Sequence, residues 1–378
     1  MGVHYLDTLD SFRKNNIYKR ILIIGAGNNA LQFIDFESWN IVGIIDSNIA
    51  KRGNIIKRNN ICMPIESWDD FEEHAEADSK MFDVVVITPD CYRELLERIL
   101  SICSDNIPIY LYSYMYSLQW DYERNRCSNK IYKKTESSER AIPKHIHTFW
   151  FSKDPFPDKV QMCLDSWKKY CPNYEITVWN KETYQSENVF FNEAIKNKQW
   201  AFASDYARCD VIYKYGGIYL DLDVELVKNL DDMLCDKGFF CFESAKGGVD
   251  PGSGFGAACN HPIIADIRNQ YANIHFENED GSYNKVSILE QYTGVLEKKG
   301  LIRNGEYQVI DGFAIYPPAV MSPYSYRTGM TSVTMDTHGI HHWVSAWIGD
   351  EQRFYLEEKK CFFKEHEEEV GRIINYEE

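Results

Sequence analysis

Short apolar runs alternate with amphipathic stretches along the first third of the chain. β-branched residues dominate three of these runs, at residues 21–24, 41–45 and 84–87, and a fourth run lies at residues 107–112. Residues 91–102 have the spacing of an amphipathic helix. Apolar runs of about four to eight residues that alternate with helices are typical of buried parallel strands. The pattern predicts an α/β domain with a parallel sheet over residues 1–120.

A change of pattern follows this first domain. Residues 121–140 are polar and charged, which predicts a linker. Apolar and aromatic residues return at Ile142, and strands and helices in mixed order are expected from there. The last residues, 350–378, predict an amphipathic helix whose polar face is mainly acidic. We therefore expect a second domain over residues 141–378 that ends in this helical tail.

Composition narrows the possible classes of protein. The chain has 378 residues, 44% of them hydrophobic, and a formal net charge of -16. This charge argues against an extended surface for nucleic acid. The 11 cysteines lack zinc-finger spacing, and no apolar run approaches the length of a membrane helix. A cytoplasmic protein with reduced thiols is the expectation.

The most informative residues lie between positions 201 and 223, which read AFASDYARCDVIYKYGGIYLDLD. An apolar run ends in Asp221-Leu222-Asp223. Residues two apart on a strand face the same side, so both carboxylates can converge at the strand end. Hard oxygen ligands suit Mg²⁺ or Mn²⁺. A solvated acidic turn is the alternative for the tripeptide alone.

Four segments in order along the chain carry a resemblance to a known family. They are IPKHIHTFWFS at 142–152, SWKKYCPNYEITVWN at 166–180, the 201–223 segment and HHWVSAW at 341–347. Together they resemble the DXD-sugar glycosyltransferases of family 32, which include bacterial capsule transferases and yeast mannosyltransferases. The resemblance implies a GT-A type fold and a retaining, metal-dependent sugar transferase.

The resemblance also implies roles for individual residues. Asp223 would bind the metal directly, and Asp221 would contact the ribose, the sugar or a metal-bound water. Asp205 and Arg208 would hydrogen-bond the donor sugar, and Arg208 would help to neutralise the diphosphate. At i and i+3 on a helix these two share a face, and a surface ion pair is the alternative interpretation.

The fourth segment is expected to complete the metal site. By position, His342 and Ser345 would be further metal ligands, with His341 as an alternative ligand. Trp347 would donate its indole N–H to the leaving diphosphate. A buried cluster of histidine and tryptophan is the other interpretation. Trp150, after the first strand of this domain, would stack on the nucleotide base or serve as a core residue.

Two glycine-containing segments suggest further sites. Gly25 and Gly27 follow the first long strand, and Asp46 lies 21 residues after Gly25. This spacing is close to a dinucleotide-binding fingerprint, so the first domain resembles small Rossmann-like modules of sugar-modifying enzymes. A ligand-free scaffold or docking domain is the alternative. The glycine-rich segment 244–258 predicts a flexible loop on the substrate side, and glycine flexibility without ligand contact is the alternative.

The leading hypothesis is a glycosyltransferase that acts in surface or capsular polysaccharide synthesis. Its donor would be a nucleotide-sugar, with UDP-sugars favoured and GDP-mannose open, and its acceptor a saccharide or a lipid-linked oligosaccharide. A lipid-linked acceptor would require peripheral association at the inner face of the membrane. The alternatives are a non-catalytic sugar-nucleotide binding protein and an NAD-linked oxidoreductase that acts through the first domain. The sequence does not indicate an oligomeric state.

Overall fold

A computed structural model describes residues 2–77, 81–103, 106–130, 132, 140–344 and 349–375. The chain divides into two compact units. Unit 1 comprises residues 1–122, 327–329 and 346–378, and unit 2 comprises residues 123–326 and 330–345. Both units mix helices with strands that pair in parallel, which confirms the predicted mixed α/β class. No helix in the described ranges is long and apolar enough to cross a bilayer.

Unit 1 is built on five parallel strands in the order β1-β7-β6-β2-β3. Its elements in chain order are β1 (Val3–His4), α1 (Leu9–Asn16), β2 (Ile21–Ile24), α2 (Asn28–Phe36), β3 (Ile41–Ile45), the hairpin β4 (Ile55–Arg58) and β5 (Ile61–Pro64), α3 (Trp68–Ala77), β6 (Val84–Ile87), α4 (Arg93–Ile102), β7 (Ile109–Leu111) and the part of α5 (Tyr112–Ser128) that precedes residue 123. The four predicted strands and the predicted helix are confirmed. All residues of β2 and β6 are buried, as expected for strands covered on both faces.

The predicted linker at residues 121–140 is in part a helix. α5 continues to Ser128, and Asp121, Arg124 and Asn125 within it are at most 4% exposed. The side-chain amide of Asn125 donates a hydrogen bond to Ser332 Oγ at 2.9 Å. Polar composition therefore did not indicate exposure, because these polar groups have partners inside the protein. Residues 131 and 133–139 of the predicted linker lie outside the described residues.

The C-terminal amphipathic helix is present, but it belongs to unit 1 and not to the second unit. It forms α11 (Asp350–Glu365) and α12 (Glu367–Ile374). The ring of Phe362 lies 5.0 Å from that of Tyr5, and the ring of Phe363 lies 5.4 Å from that of Tyr114. These aromatic contacts explain the difference, because they bury the apolar face of α11 against residues of the N-terminal sequence.

Unit 2 contains a mixed sheet of seven strands in the order β14-β15-β12-β13-β10-β8-β9. Its elements are β8 (His145–Phe149), α6 (Asp158–Tyr170), β9 (Glu175–Trp179), α7 (Val189–Lys196), α8 (Trp200–Tyr215), β10 (Gly217–Tyr219), β11 (Val224–Leu226), β12 (Gly238–Cys241), β13 (Phe255–Ala257), α9 (Pro262–Asn269), α10 (Ile288–Glu297), β14 (Gln308–Ile310), β15 (Phe313–Tyr316) and β16 (Gly339–His341). β16 pairs antiparallel with β11 in a separate two-stranded ribbon.

The turn from α8 into β10 requires glycine. Gly216 and Gly217 have φ angles of 66° and 103°, a region that favours glycine. A Cβ atom at Gly217 would lie 2.5 Å from the carbonyl oxygen of His145. The two glycines form a tight turn that directs β10 into the sheet between β13 and β8. The chain leaves the sheet after Tyr219 and reaches Asp221.

Helix α6 holds the strand that follows the Asp-x-Asp motif. The indole N–H of Trp167 donates to the carbonyl oxygen of Val224 at 2.7 Å. Ser166 Oγ accepts from the backbone N–H of Leu226 at 2.9 Å. The second segment of the resemblance thus fixes the exit path of the chain from Asp223.

Candidate active site

Asp205 and Arg208 lie on one face of α8, as their spacing predicts. The Arg208 guanidinium is 3.0 Å from Asp205 Oδ1 and 3.5 Å from Asp221 Oδ1. The Arg208 side chain is only 5% exposed, so this is not a surface ion pair. The structure brings Asp205, Arg208 and Asp221 together in a single charged cluster.

Tyr219, which was not among the residues predicted for the site, belongs to the same cluster. Its hydroxyl donates a hydrogen bond to Asp221 Oδ1, and the Arg208 guanidinium stacks 4.6 Å from the centre of its ring. The signal was present in the sequence, because Tyr219 is two residues before Asp221 and faces the same side of an extended chain. Tyr219 therefore helps to hold both charged side chains in place.

Asp221, Asp223 and His341 form a group of metal-ligating side chains. One ligand atom from each of these residues lies within 4.8 Å of the other two. His341 Nε2 is 3.3 Å from Asp223 Oδ1. The backbone N–H of Val344 donates to Asp223 Oδ2 at 2.8 Å. Two carboxylates and one imidazole are a donor set that fits a hard or borderline divalent cation.

The charges in this group depend strongly on one another. Burial favours a higher pKa for Asp223, but His341 and hydrogen bonds hold the pKa of this carboxyl at about 2. Burial would lower the pKa of His341, but the carboxylates of Asp223 and Asp250 raise the pKa well above its ordinary value. Asp223 is consequently anionic over the whole physiological range and available to a cation.

Asp205 and Asp221 behave differently from Asp223. Burial raises the pKa of Asp205 to about 7, although Arg208 opposes this shift. Burial also raises the pKa of Asp221, again against the effect of Arg208, and the neighbouring Asp223 adds to the rise. The guanidinium of Arg208 is therefore the cationic partner of two carboxylates, those of Asp205 and Asp221. An additional cation would relieve the repulsion between Asp221 and Asp223.

The histidine of the metal group is His341, the alternative ligand, and not His342. Neighbouring residues of an extended chain point to opposite sides, and the His342 ring is directed at Glu225, with Nε2 2.9 Å from Oε2. The prediction of His342 as a ligand is corrected for this reason. Ser345 and Trp347, the other two residues predicted from this segment, lie outside the described residues.

The glycine-rich segment 244–258 is packed into unit 2 and does not form an exposed loop. Asp250, Ser253 and Phe255 are at most 3% exposed. The backbone N–H of Asp221 donates to the carbonyl oxygen of Gly252 at 3.1 Å. A Cβ atom at Gly252 would lie 2.5 Å from Asp221 Oδ2. Glycine is needed at position 252 because the backbone lies close to the Asp221 carboxylate. This close approach, and not the predicted flexibility, explains the glycine at this position.

Trp150 is neither a fully buried core residue nor an unattached ring. It is partly exposed after β8, and its indole N–H donates to the carbonyl oxygen of Asp154 at 2.9 Å. Its neighbours Phe149 and Phe151 are 7% and 4% exposed and lie in the core. The stacking role of Trp150 stays a prediction.

Unit 1 contains a cavity at the carboxyl ends of its central strands. Its volume is about 880 Å³, and its lining includes Gly25, Gly27, Asp46, Lys51 and Thr88. These residues follow or lie near the ends of β2, β3 and β6, where ligands bind in open parallel sheets. The structure thus brings the three predicted residues of the first domain to one cavity.

Asp46 already has several partners in this cavity. Its carboxylate accepts hydrogen bonds from the backbone N–H of Ala26 at 2.7 Å, from Asn48 N–H at 2.8 Å and from Lys51 Nζ at 2.8 Å. Burial opposes ionisation, but these donors lower the pKa of Asp46. The carboxylate therefore braces the glycine turn, and its predicted contact with a ribose stays a prediction.

Comparisons with known proteins point to the same part of unit 2 as the Asp-x-Asp motif. Residues 157–240 match the family model described as "Glycosyltransferase sugar-binding region containing DXD motif". Inositol phosphoceramide mannosyltransferases 3 and 1 of Schizosaccharomyces pombe are 32% and 28% identical, over 34% and 32% of this chain. An uncharacterized glycosyltransferase of Acanthamoeba polyphaga mimivirus, L373, is 28% identical over 37% of this chain. The predicted resemblance to DXD glycosyltransferases is therefore confirmed for residues 157–240.

These similarities cover only part of each protein. The chain spans 36% and 40% of the two mannosyltransferases and 59% of the viral protein. Among solved structures, the PaToxG glycosyltransferase is similar at 19% identity and a TM-score of 0.32, over 48% of this chain and 73% of that chain.

Proposed function

We propose, for a chain whose residues 157–240 match the sugar-binding region of DXD glycosyltransferases, that unit 2 transfers a sugar from a nucleotide-sugar to an acceptor hydroxyl with the help of a divalent cation. One observation carries the proposal. Both carboxylates of the Asp-x-Asp motif lie close to His341, and the Asp221 carboxylate also contacts the buried guanidinium of Arg208. A binding protein without catalysis would not need this concentration of paired charges.

Asp221, Asp223 and His341 would hold Mn²⁺ or Mg²⁺. When bound, the cation would withdraw negative charge from a diphosphate as the bond to the anomeric carbon breaks. Arg208 lies beside the motif and supplies a fixed positive charge in a partly dry environment, where such charges act strongly. Asp205 orients this guanidinium and offers a carboxylate oxygen to a sugar hydroxyl. Retention of the anomeric configuration is part of the proposal.

The proposal extends to the fold, the donor and the acceptor. Unit 1 is proposed as a Rossmann-like domain and unit 2 as a GT-A type domain. Two relatives are mannosyltransferases by name, which supports testing GDP-mannose beside the UDP-sugars. The same names include a phosphoceramide, which supports testing glycolipid acceptors beside saccharides. A role in surface polysaccharide synthesis at the inner face of the membrane belongs to the proposal as well.

The test is the release of nucleoside diphosphate from a panel of UDP-sugars and GDP-mannose, with Mn²⁺ or with EDTA. We expect release from one donor to require the metal and to fall by about 100-fold or more in Asp223→Ala. Asp165→Ala is the matched control, because this carboxylate lies on the surface of α6 with its side chain 59% exposed.

Equal release by the wild type and Asp223→Ala, or release that EDTA does not change, would contradict the proposed reaction. If no donor is used, the cavity of unit 1 becomes the first place to search for a ligand.

A further inference from the structure

Asp250 makes a direct contact with the histidine of the metal group. Its Oδ2 accepts a hydrogen bond from His341 Nδ1 at 3.1 Å, and both side chains are almost completely buried. The other ring nitrogen of His341, Nε2, lies 3.3 Å from Asp223 Oδ1. Asp250, His341 and Asp223 therefore form a continuous chain of contacts from the glycine-rich segment to the Asp-x-Asp motif.

We propose that Asp250 is a positioning residue that makes His341 a metal ligand. By accepting the Nδ1 proton, the Asp250 carboxylate leaves Nε2 as the nitrogen that would lose its proton to a cation and then direct its lone pair toward Asp221 and Asp223. A carboxylate behind a ligating imidazole fixes the orientation of the ring and increases its basicity. The inference rests on the divalent cation of the proposed function and extends it to a residue outside the set of ligands.

The fold fixes the Asp250 carboxylate from the opposite side. Its Oδ1 accepts from the backbone N–H of Gly252 at 2.9 Å, and its Oδ2 accepts from that of Ser253 at 3.2 Å. The backbone N–H of Asp250 donates to the carbonyl oxygen of Cys241 in β12 at 2.8 Å. Because backbone groups hold both oxygens, the carboxylate can rotate little and its direction toward His341 is preset.

The His341 ring is also held along its face. It stacks on Trp343 with ring centres 4.1 Å apart, and its backbone N–H donates to the carbonyl oxygen of Met321 at 3.1 Å. Stacking fixes the plane of the ring but does not distinguish between the two nitrogens. The choice of tautomer therefore falls to Asp250.

This geometry makes Asp250→Asn a sharp test. If the amide oxygen takes the place of Oδ1, it keeps the hydrogen bond from Gly252 N–H, and the amide NH₂ takes the place of Oδ2, where it faces His341 Nδ1 and loses the bond from Ser253 N–H. A donor at this position favours the tautomer with the proton on Nε2, the nitrogen that must be free to bind a cation. The variant thus keeps one of the two backbone hydrogen bonds to this side chain and reverses the preference of the ring.

The experiment is a titration of the whole protein with Mn²⁺ alone, followed by the electron paramagnetic resonance of free Mn²⁺. We expect Asp250→Asn to bind Mn²⁺ about 10- to 100-fold more weakly than the wild type. A spin-echo signal from a directly bound nitrogen should be present in the wild type and absent in His341→Ala. Ser253→Ala is the control, because it removes only the hydrogen bond from Ser253 Oγ to the Asp250 carbonyl at 3.0 Å and should bind Mn²⁺ normally.

A second measurement needs no variant. In the Mg²⁺-saturated wild type, the ¹⁵N spectrum of the histidine rings should show His341 with its proton on Nδ1. A proton on Nε2, or wild-type affinity and an unchanged nitrogen signal in Asp250→Asn, would overturn the inference and leave the proposed function intact. A wild type that binds no Mn²⁺ would instead refute the metal-dependent function on which the inference rests.

Discussion

At the scale of single residues, buried charges in both units are located beside partners that determine their protonation. Arg208 lies between Asp205 and Asp221, and His341 lies between Asp223 and Asp250. A buried charge without such partners is expensive, so it is expected either to be paired or to shift its pKa. Lys359 in α11 of unit 1 illustrates the second outcome.

Lys359 should make stability depend on pH in the alkaline range. The residue is 8% exposed, and burial lowers the pKa of its ammonium group from 10.5 to about 8, against the attraction of Asp90 and Asp121. The unfolded chain therefore binds more protons than the folded one between these values, and stability rises with pH there. Lys359→Met should increase the free energy of unfolding at pH 7 by about 3 kcal/mol, an advantage that shrinks between pH 8 and 10.5.

Urea midpoints of wild type and variant at pH 7, 8.5 and 9.5 measure this effect. Lys364→Met, at an exposed position of the same helix, is the control and should change stability by less than about 0.5 kcal/mol. A Lys359→Met advantage that stays constant up to pH 10 would show that the ammonium group is not desolvated in the folded state.

At the scale of elements, the site is assembled where regular structure stops. Asp221 follows the end of β10, Asp223 precedes β11, and His341 is the last residue of β16. The ribbon of β11 and β16 pairs Val224 with His341, which brings residues far apart in sequence into contact. The glycine-rich segment then closes around Asp221. The close approach of the Gly252 backbone to the Asp221 carboxylate, and not motion of a loop, explains the glycine at this position.

Gly252→Ala should test this close approach. The added methyl group would lie 2.5 Å from Asp221 Oδ2 and 3.2 Å from Asp250 Oδ1, so the carboxylate must move. We expect metal-dependent release of nucleoside diphosphate to fall by about tenfold or more, because small displacements of positioned groups reduce rates strongly. Far-UV circular dichroism should show an intact fold.

The control is Gly294→Ala in α10, where a Cβ atom would meet nothing within 4 Å. This variant should keep its activity and gain up to about 1 kcal/mol of stability, since alanine is the better helix former. Unchanged activity in Gly252→Ala would mean that the Asp221 carboxylate can move without loss of function.

At the scale of the whole molecule, each of the two units is made of separate segments of the chain, not of one continuous stretch. Residues 327–329 and 346–378 return to unit 1 after the chain has formed unit 2. Phe363, fully buried in α11, takes part in this return by packing on Tyr114 of α5. The C-terminal helices are consequently part of the core of the N-terminal unit.

Phe363→Ala should destabilise unit 1 and leave unit 2 unchanged. Removal of a fully buried phenylalanine costs about 3–5 kcal/mol. Hydrogen exchange should show lost protection in α1, in residues 112–122 and in α11, with unchanged protection in α8 and β10. Phe354→Ala is the control, because this ring is 60% exposed in the same helix. Loss of protection in α8 with none in α11 would place the tail with unit 2, as the sequence had suggested.

Much of the protein was predictable because it depends on local patterns. Buried runs such as Ile21–Ile24 specify strands, Gly216 and Gly217 specify a turn, and the spacing of Asp205 and Arg208 places both on one helix face. The Asp-x-Asp motif identified the region that matches the glycosyltransferase family. Composition and spacing were sufficient at these positions because neighbouring residues alone set the geometry.

Only the tertiary structure decided which distant residues complete the site. The sequence indicated His342 as the ligand and His341 as the alternative, but strand pairing directed His341 to Asp223 and His342 to Glu225. Asp250 had no recognisable pattern, because its role depends on a contact across 91 residues of sequence. The burial of α5 and the docking of α11 follow from packing for the same reason. Side-chain direction and long-range contact are set by the folded chain, not by local spacing.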